Sequence, residues 1–178
     1  MEKPALQGPR GFWHHARYNV AVSFVIRNFR PDDFESLWRL DQDCFSPGIA
    51  YSRVELKTYI RHPGAFTLVA ESLPEKGVEK GTAMELAGFL VAQSGATGHI
   101  ITIDVALRAR RSGIGSLLLR GAEDRLRDAG SRAVGLETAV DNLSALSFYK
   151  RHGYSVIKTW PRYYSNGVDA LVLKKVLK

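Results

Sequence analysis

Apolar and polar residues change their period several times along this chain, and each change marks an element. A strand is predicted over Ser23 to Asn28, after which Pro31 stands where the first residue of a helix would, followed by Asp32 and Asp33. Proline at the first helical position and negative charge at a helix N-terminus both favour that start. Phe34, Leu37, Trp38 and Cys44 then recur at near-helical spacing and define helix one. Ser52 and Glu55 form a capping-box pair that opens helix two, which must stop by His62 because Pro63 and Gly64 follow. Phe45 to Tyr51 is the loop between them. Phe66 to Glu71 and Glu85 to Gln93 read as strands. The Lys/Glu/Gly-rich stretch between them, Ser72 to Thr82, is too polar for a core and is expected to be a mobile hairpin loop.

The next strand, His99 to Leu107, alternates Ile101, Ile103 and Val105 with Thr102 and Asp104, the two-residue period of a strand with unlike faces, which predicts that Asp104 faces outward. From Gly113 the period becomes helical: Ile114, Leu118, Ala122 and Leu126 form one stripe, charged residues lie elsewhere, and Gly130 ends the helix. Ala133 to Val140 is a strand and Leu143 to His152 a short helix ended by Gly153. Tyr154 to Trp160 and Asp169 to Val176 are two closing strands. Strands and helices alternate in the centre while both ends supply strand pairs, so the predicted class is α+β (mixed α/β), with one twisted mixed sheet flanked by helices. Residues 23–178 make a single domain and residues 1–22 an N-terminal extension.

Composition narrows the class. The 178 residues are 45% apolar and 24% charged, which excludes collagen-like and wholly disordered chains. One cysteine cannot form an internal disulfide and no Cys/His cluster has zinc-ligand spacing, so no metal is expected and a cytoplasmic setting fits best. The net charge of +7 biases partners toward anions. The apolar run Val20 to Ile26 is broken by Ser23, and residues 1–19 lack a continuous apolar region, so neither a membrane span nor a signal peptide is expected.

Candidate chemistry begins at Arg110 to Ser116, between a strand and a helix N-terminus, where unpaired N–H groups and the helix dipole favour a phosphate. Two glycines also simply make a tight turn. A Walker A loop would need a Lys-Ser/Thr pair, and a dinucleotide fingerprint would need glycine at Leu118; neither is met. Arg110, Gly113 and Gly115 do match the Arg/Gln-x-x-Gly-x-Gly/Ala signature of the GCN5-related N-acetyltransferases (GNAT). Asn142, Ala145, Phe148, Tyr149, Gly153 and Tyr154 fit that family's second motif at the right distance downstream. The resemblance covers Phe24 to Leu177. Leu136, Glu137, Thr138, Asn142, Tyr149 and the segment Arg162-Tyr163-Tyr164 with Gly167, Asp169 and Ala170 resemble the RimI-type and archaeal protein N-terminal acetyltransferases.

The resemblance implies acetyl-CoA as co-substrate. Its pyrophosphate would be held by backbone N–H groups of Arg111, Ser112, Gly113, Ile114, Gly115 and Ser116, with charge from Arg108, Arg110 and Arg111. Its pantetheine would pair with the backbone of Ile103 and Val105. Asn142 would bond the pantetheine, cap a helix, or do both. Glu137 is the implied base. On its strand it shares a face with the small Ala133, Gly135 and Ala139, and the alternative is a solvent-facing glutamate; Asp104 is the reserve. Tyr149 beside the thioester would protonate the leaving thiolate, or would simply pack. Cys44 is expected to be a buried thiol rather than a nucleophile, and His14, His15, His62, His99 and His152 read as structural or surface residues.

In the RimI-type enzymes, tyrosines between the last two strands line the slot for a substrate's first residues. Phe45 to Tyr51 and the Tyr163-Tyr164 turn would accordingly form its walls. The expected reaction is acetylation of a protein or peptide N-terminus, with ribosomal proteins among the candidate substrates, by a monomer or homodimer. A small amine such as a polyamine or antibiotic is the alternative acceptor. A non-catalytic acyl-CoA sensor and a basic RNA- or ribosome-binding module are readings of a different class. Basic residues spread along the chain without interleaved aromatics speak against nucleic acid.

Overall fold

Glycine and proline punctuation places the helix boundaries, and a computed structural model describing residues 24–72 and 86–178 follows it closely. The proposed extension 1–22, Ser23, Glu85 and nearly all of the expected hairpin loop lie outside the described residues. β1 (Phe24–Asn28) leads through a single 3-10 turn at Pro31–Asp33 into α1 (Phe34–Cys44). α2 (Arg53–Arg61) is opened by the Ser52/Glu55 capping box, both halves of which are made. β2 (Ala65–Ser72), β3 (Leu86–Gln93) and β4 (Thr97–Val105) follow, then α3 (Ile114–Asp128), β5 (Ala133–Ala139), α4 (Leu143–Arg151), β6 (Ser155–Trp160) and β7 (Ala170–Val176).

The seven strands form one sheet in the order β1-β2-β3-β4-β5-β7-β6. Every neighbouring pair is antiparallel except β4 and β5, which run parallel. α3 supplies Ile114, Leu118, Leu119, Ala122 and Leu126 to the core, while α1 and α2 supply Leu37, Leu40 and Leu56. A Leu→Ala change at so buried a position typically costs about 2–5 kcal/mol.

Two departures from regular strand geometry build the site. The first is a bulge in β4. A side chain at Gly98 would lie 2.7 Å from Leu126 of α3, and Val105 lies opposite Gly115 of the same helix, yet the two strand positions are an odd number of residues apart. Alternation must therefore slip once between them. The slip is at Ile101, because Thr102 faces Val91 and Ile100 faces Ala92. The second departure is that β4 and β5 pair only over Thr97–His99 and Ala133–Gly135, then part.

The bulge corrects the expectation for Asp104. Thr102 and Asp104 are buried, at 6% and 1% exposure, whereas Ile101, Ile103 and Val105 are only half-buried. The three apolar residues line a cavity and pack only against the margin of the core, so polarity alone points the strand's faces the wrong way.

Candidate active site

Where β4 and β5 part, a cavity of about 1310 Å³ opens between them. The turn before α3 lies at one end. Gly113 takes φ +91° and Arg111 φ +66°, so the chain reverses through left-handed conformations before the helix begins. The first helical N–H groups have no carbonyl partner within their own helix. Gly113 has open space around its Cα, and a side chain at Gly115 would touch Phe148 at 3.4 Å. These features fit an anion held by backbone N–H groups. Arg110, Arg111, Gly113, Gly115 and Ser116 line the cavity here. The side chains of the other two predicted turn residues point elsewhere: Ser112 donates to the carbonyl of Ala109 at 2.6 Å, and Ile114 is buried in the core.

In the middle of the cavity, the parting of the strands leaves Ile103 and Val105 on an edge free of β5. The carbonyl of Val105 already accepts Arg110 Nε at 3.1 Å and Cys44 Sγ at 3.5 Å. Cys44, expected to be buried, is only half-buried at this edge; burial, followed by the nearby Asp104 charge, pushes its thiol up, so it stays protonated. Asn142 lines the cavity, and its side chain caps α4 by accepting Ala145 N–H at 3.1 Å. Tyr149 is buried at the cavity wall. Burial, then the Asp104 charge, then Tyr164 push its phenol well above its ordinary range, which keeps it a proton carrier across neutral pH.

Tyrosines gather at the opposite end. Phe45, Tyr51, Tyr163 and Tyr164, the four predicted wall residues, all line the cavity. Tyr51 donates its phenol to the carbonyl of Ile101 at 3.3 Å. Tyr164 is pushed up to about 12 by burial and then by Tyr163, Glu137 and Asp141. The walls meet overhead: Ser165 Oγ donates to the carbonyl of Gly48 at 2.9 Å, and Gly48, at φ +88°, would bring a side chain within 3.0 Å of Asn166. The slot is thus roofed by two loops.

Glu137 faces this end, only 14% exposed, and accepts a hydrogen bond from His99 Nε2 at 2.7 Å. The pairing follows from register. His99 stands opposite Gly135 on the last paired rung, Glu137 is two residues further on the same face, and Gly135 puts no side chain between them. His99, expected to be structural or a surface residue, therefore belongs to the site. Tyr59 of α2 does too, lining the cavity with its ring 5.1 Å from that of Tyr51. No local signal marks His99, because its partner is set by a parallel rung between distant strands. Tyr59 reads in sequence as one more half-exposed helix residue.

Comparison with known proteins bears on this arrangement. The sequence profile of the Acetyltransferase (GNAT) family matches residues 34–154. The N-alpha-acetyltransferase 30 of Schizosaccharomyces pombe is 38% identical over 73 residues, which cover 41% of this chain and 49% of that protein. A solved structure of the NatC complex bound to Gag peptide and CoA contains a chain 25% identical to this one, with a TM-score of 0.72 covering 87% of this chain and 99% of that one. The ribosomal-protein-S18-alanine N-acetyltransferase of Escherichia coli is 18% identical and shares the fold, with a TM-score of 0.71 over 87% of this chain and 94% of its own.

Proposed function

The chain belongs to the acetyltransferase (GNAT) family and carries an acetyl-CoA-dependent N-acetyltransferase domain; we propose that its acceptor is the N-terminal α-amine of a protein or peptide. The observation that carries this reading is the His99–Glu137 pair set 2.7 Å apart at the tyrosine end, beneath the roof that Ser165 and Gly48 close. A roofed slot admits an acceptor end first, and its carboxylate attracts an ammonium group. The names of the relatives support it as well: one is an N-alpha-acetyltransferase, another was crystallised with a peptide and CoA.

Acetyl-CoA supplies an activated acetyl group. The turn at Gly113 binds the pyrophosphate through N–H groups at the positive end of α3. The free edge at Ile103 and Val105 aligns the pantetheine, with the N–H groups available and the Val105 carbonyl shared with Arg110 and Cys44. Glu137, held in one orientation by His99, takes a proton from the acceptor ammonium directly or through one water. The freed amine forms the new N–C bond as the C–S bond breaks, Tyr149 gives its proton to the departing sulfur, and the second proton of the acylated nitrogen returns to the Tyr149 oxygen directly or through water. The one proton released overall is the one Glu137 passes to solvent.

The test is incubation of the full chain with acetyl-CoA and three acceptors: peptides with free N-termini, N-blocked peptides carrying lysine, and polyamines. Free thiol and product mass are followed. N-terminal peptides should be acetylated fastest. Faster acetylation of polyamines would leave the acetyltransferase assignment standing and overturn the acceptor.

A further inference from the structure

Behind the slot, α1 and β4 enclose two carboxyl groups that neither the cofactor turn nor the His99–Glu137 pair uses. Asp41 is fully buried; its Oδ2 accepts the Tyr51 N–H at 2.8 Å and Gln42 Nε2 at 3.0 Å, and its Oδ1 has no partner among the described residues. Asp104 is 1% exposed; its Oδ1 accepts Thr102 Oγ1 at 3.0 Å, and its Oδ2 is likewise without a partner. Cys44, one turn beyond Asp41 on α1, donates to the carbonyl of Val105, the neighbour of Asp104. That contact packs the Asp41 side of the helix toward the end of β4 that carries Asp104, and the Asp41 charge raises Asp104. Two dry carboxylates, each with an unsatisfied oxygen, are costly, and one proton between them answers both oxygens.

We propose that Asp41 and Asp104 share one proton through neutral pH, directly or through one water, and so act as a positioning pair that anchors the acceptor wall at Tyr51. Asp41 is the link. One of its oxygens faces the proton and the other holds the Tyr51 N–H, while Trp38 Nε1 and Gln42 Nε2 hold the Tyr51 carbonyl at 3.2 and 2.8 Å. The Tyr51 phenol is thereby aimed at Ile101 on the slot wall. The functional half of the proposal rests on the acceptor reading above; the proton itself does not.

The surroundings agree. Burial, followed by Asp41, pushes Asp104 well up, opposed by its bond from Thr102 and by Arg110 at the turn. Burial pushes Asp41 up to about 6, with Glu55 of α2 adding repulsion. The remaining ionisable neighbours, Cys44 on α1, Tyr149 on α4 and the phenol of Tyr51 itself, are all held in their protonated forms. Because both carboxyls titrate higher in the folded chain than in the unfolded one, their contribution to stability is whole in acid and is lost as pH rises through the folded values.

The experiment uses the full ligand-free chain. Carboxyl carbon resonances should reveal a protonated acid at neutral pH, and the Tyr51 amide resonance should titrate together with it. Asp104→Asn should remove both effects, flatten the fall of thermal stability with pH, and remove the alkaline limb of kcat/KM for a peptide. Should Asp104→Asn not fold, Asp41→Asn, which keeps an oxygen for the Tyr51 N–H, serves for the same measurements. Absence of a protonated carboxyl at neutral pH, a signal unchanged in the variant, or a Tyr51 amide indifferent to the titration would overturn the pair. If carboxyl and amide titrate together while no peptide is acetylated, the pair stands and the acceptor assignment fails.

Discussion

At the proposed cofactor end of the cavity the anion-binding features belong to one continuous stretch, Arg110 to Ser116, and most of them are backbone: left-handed φ values at Arg111 and Gly113 and the free N–H groups of α3. The acceptor end gathers side chains from the 45–51 loop, α2, β4, β5 and the loop before β7. Backbone geometry tolerates many side-chain changes but little added bulk. A constellation of side chains behaves in the opposite way, since each member is replaceable in shape and not in chemistry. Substitutions at the two ends should therefore fail differently.

The largest effect is expected at the two proposed proton carriers. Removing a general acid or base commonly costs about 10²- to 10⁴-fold in rate, and Glu137→Gln and Tyr149→Phe should each lower kcat by that order while acetyl-CoA affinity is retained. Glu137→Gln should also alter the acidic limb of the pH profile. Near wild-type turnover in either variant removes that residue from its role.

Gly115→Glu tests the other end. Its side chain must enter space bounded by Phe148 and Val105 and brings a negative charge to an anion site. A carboxylate placed against a bound anion is a like-charge contact that costs several kcal/mol, so acetyl-CoA affinity measured by calorimetry should fall by roughly tenfold or more. An unchanged affinity in the folded variant would move the pyrophosphate elsewhere.

Tyr163→Phe and Tyr164→Phe sharpen the contrast. Losing a hydrogen bond to a buried substrate group costs about 1–3 kcal/mol, roughly 5- to 150-fold in kcat/KM for a peptide, and hydrolysis of acetyl-CoA without acceptor should barely change. Equal losses in both assays would mean that the tyrosines support the fold. The smallest change is expected for His99→Ala, which removes one orienting bond to Glu137, worth about 1 kcal/mol and hence a roughly fivefold lower kcat. A drop as large as that of Glu137→Gln would promote His99 to a proton carrier in its own right.

Much of this was legible in the sequence. The capping box at Ser52, the proline at the first helical position and the glycine turn before α3 are local signals, and each element they announce lies within a few residues of its predicted bounds. Phe45, Tyr51, Glu137, Tyr149, Tyr163 and Tyr164 do share one cavity. What misled was the alternation along β4. The period of two holds from Thr102 onward, but which face met the core could not be told from polarity once Ile101, Ile103 and Val105 lined a cavity.

By itself, then, the sequence determined the order of elements, the phosphate-friendly turn and the family motifs, because periodicity, caps and glycine conformations act over a few residues and are written in consecutive positions. Only the tertiary structure decided that His99 meets Glu137, that Tyr59 joins the wall, that Gly48 and Ser165 close the roof, and that Asp104 is buried. The His99 pairing and the burial of Asp104 depend on the bulge at Ile101 and on the rung where β4 and β5 part, and strand register is settled by packing between segments far apart in the chain.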